Sequence, residues 1–242
     1  MFIRGMQMIL TFDCYGTLLD TSSINECISN ICYENNVNSQ LAINAFFSYE
    51  DRLMYSDEII PYEKLIRKNL QFMDMDLDTD DLFLSNYKAI LQAYYDLKPF
   101  PEVTSVLEDL KKAGHSLYLM SNSSSQIMQY NLQTMNKDFD DVFTADDTGC
   151  YKPQLEFFSF VQRKLNLNNN NHLHIAKGFW WDIVPCAKIG WKKIWINRNR
   201  INGLKEYQPY KEFNDLRALP TYLKTIQSIE DKNIQDHHQK PE

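Results

Sequence analysis

The chain has 242 residues, 44% of them apolar and 13% aromatic, with 7 glycines, 8 prolines and a formal charge of −7. That is enough for one layered core with a smaller appendage, and it excludes fibrous and low-complexity classes. The acidic balance argues against nucleic acid as a partner, which needs a basic stripe, while leaving room for a local cationic pocket and a small anionic substrate.

No apolar run approaches the roughly 20 residues that span a bilayer. The opening MFIRGMQMILTFD has no small-residue cleavage site, so neither a membrane span nor a signal peptide is expected. Cysteines stand at 14, 27, 32, 150 and 186. Their odd number and the absence of CxxC fit free thiols in a reducing cytoplasm better than a disulfide or zinc framework.

In chain order, residues 6–12 are nearly all apolar and end at Asp13, which predicts a buried strand of a parallel sheet broken by Gly16-Thr17. From Thr21 to Leu97 apolar residues recur at spacings of three and four: Ile24, Cys27, Ile28 and Ile31, then Leu41, Ala45 and Phe46, then Leu65, Ile66 and Leu70, then Leu82 to Tyr94. This predicts four helices and no strand. Pro61 opens the third, and Asp78 or Thr79 caps the fourth. Pro99-Phe100-Pro101 marks a junction. Beyond it, helices are expected over 101–113, 123–135, 153–165 and 182–189, the first stopped by Gly114 and the last by Gly190. Strands are expected between them over 117–120, 141–145, 173–176 and 193–196. Single helices between strands imply a parallel sheet. The expected fold is therefore α/β: a doubly wound, Rossmann-like core from 1–20 and 98–229, an inserted all-helical cap over 21–97, and a disordered polar tail over 230–242.

Ligands of open parallel sheets gather at the carboxyl ends of the strands. Those ends carry Asp13, then Ser121-Asn122-Ser123, then Lys152 beyond the strand near 145, then Lys177 and Asp182. A carboxylate can attack an electrophilic carbon or phosphorus and form an ester, and a nearby ammonium such as Lys152 keeps it ionised. Ser121, Thr17 and the N–H groups opening the helix from 123 can hold an anionic group. Asp182 can direct the water that cleaves the ester.

FDCYGTLLD at 12–20, SNSS at 121–124, YKP at 151–153 and WWDIVPCAKIGWKKIWINR at 180–198 resemble, in order, the four motifs of the haloacid dehalogenase-like superfamily. The likeness covers about 1–20 and 98–200 and is nearest to the (S)-2-haloacid dehalogenase branch. Phosphatases of the superfamily carry Asp-x-Asp in the first motif; here Tyr15 holds the second place. The resemblance implies Asp13 as nucleophile, Thr17 as support of the first loop, Ser121 and Asn122 as substrate contacts, Lys152 as the third-motif lysine and Asp182 as the fourth-motif acid; Tyr15 and Thr17 are also expected beside the substrate.

Three departures stand out. The dehalogenases carry a cap arginine that assists the leaving halide; only Arg52 lies in the corresponding region, out of register, and it reads as a solvated charge. Lys177 and Phe179 replace a serine and an asparagine shortly before the acid of the fourth motif. Metal-dependent relatives place a magnesium-ligating aspartate four residues before that acid, where this chain has Gly178, so no metal is expected. Lys177 is read as facing the site. Cys14 and Cys150 read as small fillers, Trp180-Trp181 as core packing or pocket wall, and His115, His172 and His174 as structural or exposed. The expected activity is metal-independent hydrolysis at carbon of a small acid, without cofactor, in the cytoplasm. The alternatives are a magnesium-dependent phosphatase and a non-catalytic binding protein on the same fold; a homodimer is left open.

Overall fold

The computed structural model describes residues 7–56, 59–136, 139–226 and 228. The expected tail over 230–242 lies outside them. Six strands form one parallel sheet in the order β5-β4-β1-β6-β7-β8. They are β1 (Ile9–Asp13), β4 (Ser116–Met120), β5 (Asp141–Phe143), β6 (His172–Ala176), β7 (Lys193–Ile196) and β8 (Lys211–Phe213). β1 is central because it is buried on both faces: Leu10 and Phe12 are fully buried on one, and Thr11 on the other. Asp13 pairs with Met120 at the carboxyl end of the sheet.

A second, two-residue pairing joins β2 (Leu19–Asp20) to β3 (Lys98–Pro99), antiparallel. The chain thus leaves and re-enters the sheet region side by side. Between these two strands every element among the described residues is a helix: α1 (Ser22–Glu34), α2 (Ser39–Met54), α3 (Tyr62–Leu77), α4 (Leu82–Ser85) and α5 (Tyr87–Tyr95). The fourth expected helix is divided, because the Asn86 side chain donates to the Leu82 carbonyl and ends α4. Neither Asp78 nor Thr79 caps it. Asp78 closes α3 in the left-handed region, at φ 52°, and the cap is buried Asp74, which accepts from the N–H groups of Phe83 and Leu84 at 2.8 and 2.9 Å.

Further helices are α6 (Val103–Lys112), α7 (Ser125–Thr134), α8 (Ala145–Thr148), α9 (Leu155–Leu165) and α10 (Val184–Lys188), with a last one over 219–226. Two expectations change here. The strand expected over 141–145 stops at Phe143, since Thr144 and Asp147 form a capping box that starts α8. The helix expected over 182–189 is preceded by a wider π-helical turn, Phe179–Ile183, whose Ile183 N–H reaches back to the Gly178 carbonyl. β8 and the β2–β3 pair were not expected.

The helical segment rests on the carboxyl edge of the sheet. Tyr151 donates to the Ile60 carbonyl at 2.6 Å, Asn131 to the Tyr94 carbonyl at 2.7 Å, and Ser124 to Glu63. Tyr55 stacks on Trp181 with ring centroids 5.8 Å apart.

Candidate active site

At the carboxyl ends of β1, β4 and β6, three charged side chains meet below the solvent surface. Lys152 Nζ donates to Asp13 Oδ1 and to Asp182 Oδ1, each at 2.8 Å, and to the Met120 carbonyl at 3.1 Å. All three of its protons are used. Lys152 is 1% exposed, Asp182 0% and Asp13 8%, so Asp13 is the member that solvent reaches. A buried ammonium is tolerated only with such partners.

The titration of the trio follows from this sharing. Burial works against charge on Asp182, but Lys152 and then His174 outweigh it and hold its carboxyl below the usual range. Burial pushes Asp13 upward and the charge of Asp182 adds to that, against the pull of Lys152 and Thr17. Lys152 is held firmly cationic by its two carboxylates in spite of burial. On acidification Asp13 gains a proton before Asp182.

Thr17 is fully buried and donates to Asp13 Oδ2 at 2.5 Å while accepting from the Lys177 N–H at 2.7 Å. Its hydroxyl, expected to hold an anionic group, is taken up by these two partners and holds the carboxylate in place. Gly16, at φ +75°, lets the turn pass under Lys177: a Cβ there would stand 3.2 Å from Lys177 Cδ. Arg198, which sequence reasoning did not single out, closes this turn from outside. Its guanidinium donates to the carbonyls of Gly16 and Thr17 and to Glu102, and lies 3.6 Å over the Phe100 ring. Turn and junction are thereby tied together.

A cavity of about 200 Å³ opens over Asp13. The sheet side contributes Ser121, Asn122, Lys152, Lys177, Trp181 and Asp182, and the helical segment contributes Phe47, Glu50, Asp51 and Met54. Asn122 grips the Lys152 backbone with both halves of its amide, at 2.7 and 3.0 Å. Lys177 lines the cavity. Tyr15 lines it too, but its hydroxyl is engaged with Ser123 and Asn131, both at 3.0 Å, so only its ring faces the space. Three N–H groups near the start of α7 are taken by the protein: Ser123 N–H by the Ser121 hydroxyl, Ser125 N–H by Asp146 and Ile127 N–H by Ser124.

Arg52 is exposed, lies 5.2 Å over the Tyr49 ring and takes no part in the cavity wall. In its stead α2 supplies carboxylates. Glu50 Oε1 accepts from the hydroxyls of Tyr62 and Tyr94 at 2.9 Å each, and burial pushes its pKa up to about 7. Cys14 and Cys150 are buried, and burial raises both thiols, so they fill space. A larger hollow, about 450 Å³, lies near the amino ends of the strands between Met8, Leu173 and Trp191, away from all these residues.

The donor set does not fit a magnesium ion. The ammonium of Lys152 stands where a cation between Asp13 and Asp182 would stand. Gly178 offers no ligand, and the space its Cβ would need is filled by Asp182 Oδ2, at 2.5 Å from the ideal Cβ. Among the described residues no group of three or more His, Cys, Asp or Glu is placed to hold a metal, and no helix is long and apolar enough to cross a membrane.

The model of the haloacid dehalogenase-like hydrolase family matches residues 8–190. Among curated proteins the chain is 26% identical over 235 residues to (S)-2-haloacid dehalogenase 4A of Burkholderia cepacia, covering 89% of this chain and 94% of that one. It is 26% identical over 229 residues to (S)-2-haloacid dehalogenase of Pseudomonas sp. (strain YL), covering 93% and 96%. Among solved structures it resembles L-2-haloacid dehalogenase from Xanthobacter autotrophicus with chloropropionic acid covalently bound, with a TM-score of 0.74, 16% identity, and 90% and 99% of the two chains covered.

Proposed function

The chain belongs to the haloacid dehalogenase-like hydrolase family, and we propose that within it the protein is a metal-independent 2-haloacid dehalogenase that works through an ester on Asp13. The observation that carries this reading is the trio itself: a solvent-reached carboxylate and a fully buried one, bridged by a single ammonium at 2.8 Å from each.

Two substitutions balance the reaction. A carboxylate oxygen of Asp13 attacks the halogen-bearing carbon, forming a C–O bond as the carbon–halogen bond breaks, and halide leaves with the electron pair. Lys152 and Thr17 hold Asp13 in place, and Ser121 and Lys177 receive the carboxylate of the substrate. Water then adds to Cγ of the Asp13 ester, and Asp182 takes its proton. The bond from Cγ to the former nucleophilic oxygen breaks, and that oxygen takes the proton back from Asp182 and leaves in a 2-hydroxy acid; the oxygen of water stays in Asp13, and the second proton of water passes to solvent.

Residues 21–97 act as a cap on a core of 1–20 and 98–229, closing a space of about 200 Å³ that suits a small acid and excludes a macromolecule. A reducing cytoplasm suits the five free thiols. A phosphatase reading would need a general acid where Tyr15 stands and a ligand where Gly178 stands. The test is a panel of 2-haloacids and phosphate esters assayed with and without chelator. Halide release from a 2-haloacid supports the proposal. Phosphate release that requires magnesium, with no halide release, refutes it.

A further inference from the structure

His172 and His174 alternate on β6, which puts both rings on one face of the strand. On the neighbouring β1, Thr11 stands in register with His174. Its hydroxyl lies 2.8 Å from His172 Nε2 and 2.8 Å from His174 Nδ1, and His174 Nε2 lies 3.1 Å from Asp182 Oδ1. The four residues are 0–1% exposed. The chain of contacts therefore runs from the catalytic trio into the sheet without meeting solvent.

Its polarity follows from one end. Asp182, held below the usual carboxylate range, is an acceptor. His174 Nε2 must therefore carry the proton. In the tautomer that carries this one proton, Nδ1 is bare and meets the Thr11 hydroxyl as its donor. Thr11 Oγ1 in turn accepts from His172 Nε2–H. Burial pushes the His172 pKa down to about 3, so that ring is neutral and has one proton to give. Each group donates toward Asp182. With Lys152 and His174 both on Oδ1, Asp182 Oδ2 has no hydrogen-bond partner among the described residues and is buried beside the bare Cα of Gly178.

We propose that His174, oriented by Thr11 and His172, is a positioning residue that saturates Asp182 Oδ1 and leaves Oδ2 as the atom that takes the proton of the hydrolytic water. This rests on the dehalogenase reading for the identity of the step. The role predicts a selective defect. Formation of the ester, which needs Asp13 and Lys152, proceeds, while its hydrolysis slows.

The experiment has two arms. In the first, ring ¹⁵N spectra of the substrate-free protein assign His174, with His174→Gln identifying its signals. The expected result is a protonated Nε2 and a bare Nδ1, lost in Thr11→Val, where Nδ1 has no donor. A bare Nε2 in the wild type, or spectra that Thr11→Val leaves unmoved, overturns the proposal. In the second arm, wild type, Thr11→Val, His174→Leu and His174→Gln react with (S)-2-chloropropionate under intact-mass detection. For His174→Leu, kcat is expected to fall about tenfold or more, with the ester on Asp13 accumulating after a normal first release of chloride; His174→Gln, which keeps a donor, recovers part of it. Equal slowing of both steps, with no ester, marks a merely structural role and overturns the proposal. A wild type that releases no chloride from any 2-haloacid refutes the dehalogenase reading, and the ring-nitrogen shifts still decide the chain.

Discussion

Lys152 Nζ stands 2.8 Å from Asp13 Oδ1 and, on its other side, 2.8 Å from Asp182 Oδ1. One buried charge thus neutralises half of what two carboxylates bring below the surface. Removing one partner of a buried set costs more than the set contributes, because the remaining charges lose their compensation.

Lys152→Met should therefore destabilise the protein by about 3–5 kcal/mol at neutral pH and abolish turnover. Urea unfolding followed by circular dichroism measures the first. A loss under about 1 kcal/mol, the scale of a surface pair, would contradict the buried bridge.

The reactive form of Asp13 is the carboxylate, and burial raises its pKa above that of an ordinary aspartate. A nucleophile that protonates early loses activity as pH falls through the raised value. The acid limb of kcat/KM should lie above the ordinary aspartate range and move further up in Thr17→Val, which removes a hydrogen bond that favours the ionised form. A pH–rate profile unmoved by Thr17→Val would contradict the assignment.

Glu50 gives a stability signal that activity does not. Its folded pKa, about 7, exceeds that of a glutamate in an unfolded chain. The protonated form is favoured by folding, so the contribution is full below the ordinary glutamate pKa and is lost as pH rises through about 7. Between about pH 5 and about pH 8 the wild-type Tm should fall more than that of Glu50→Gln, whose amide oxygen can still accept from Tyr62 and Tyr94. Parallel Tm curves would remove Glu50 from the account.

Much of this was legible in the sequence, and the omissions have physical reasons. Strands ending at Asp13 and Ala176 are buried apolar runs, and the change of period at Pro99 marks where helices give way to alternation. β8 was illegible: Lys211 and Glu212 are exposed edge residues with no apolar pattern. The turn around Asp182 has a π-helical stretch, which a period of 3.6 does not signal. Of the site, Asp13, Lys152 and Asp182 could be named because each ends or follows a strand. The bond from the Lys177 N–H to Thr17 was illegible, since the two residues stand 160 apart in sequence. The alternation of His172 and His174 was visible, but their partner Thr11 became one only through the register of two strands distant in sequence. Arg198 gave no signal beyond its place after β7.

Chelation should leave the activity unchanged. Lys152 fills the place between the two carboxylates, and Asp182 Oδ2 fills the space beside Gly178. Assays in excess chelator, with and without added magnesium, should agree within about twofold, well short of the tenfold that 1.4 kcal/mol represents. Loss in chelator with recovery in magnesium would overturn the donor-set argument.

The central claim is that Asp13 becomes esterified, and oxygen tracing tests it most directly. With enzyme in excess over (S)-2-chloropropionate in H₂¹⁸O, a single turnover should place the heavy oxygen in the Asp13 carboxylate, and the 2-hydroxy acid should carry the light oxygen that Asp13 supplied. Peptide mass analysis locates the label. Heavy oxygen in the product after one turnover, with Asp13 unlabelled, would mean that water attacks the substrate directly and would contradict the account.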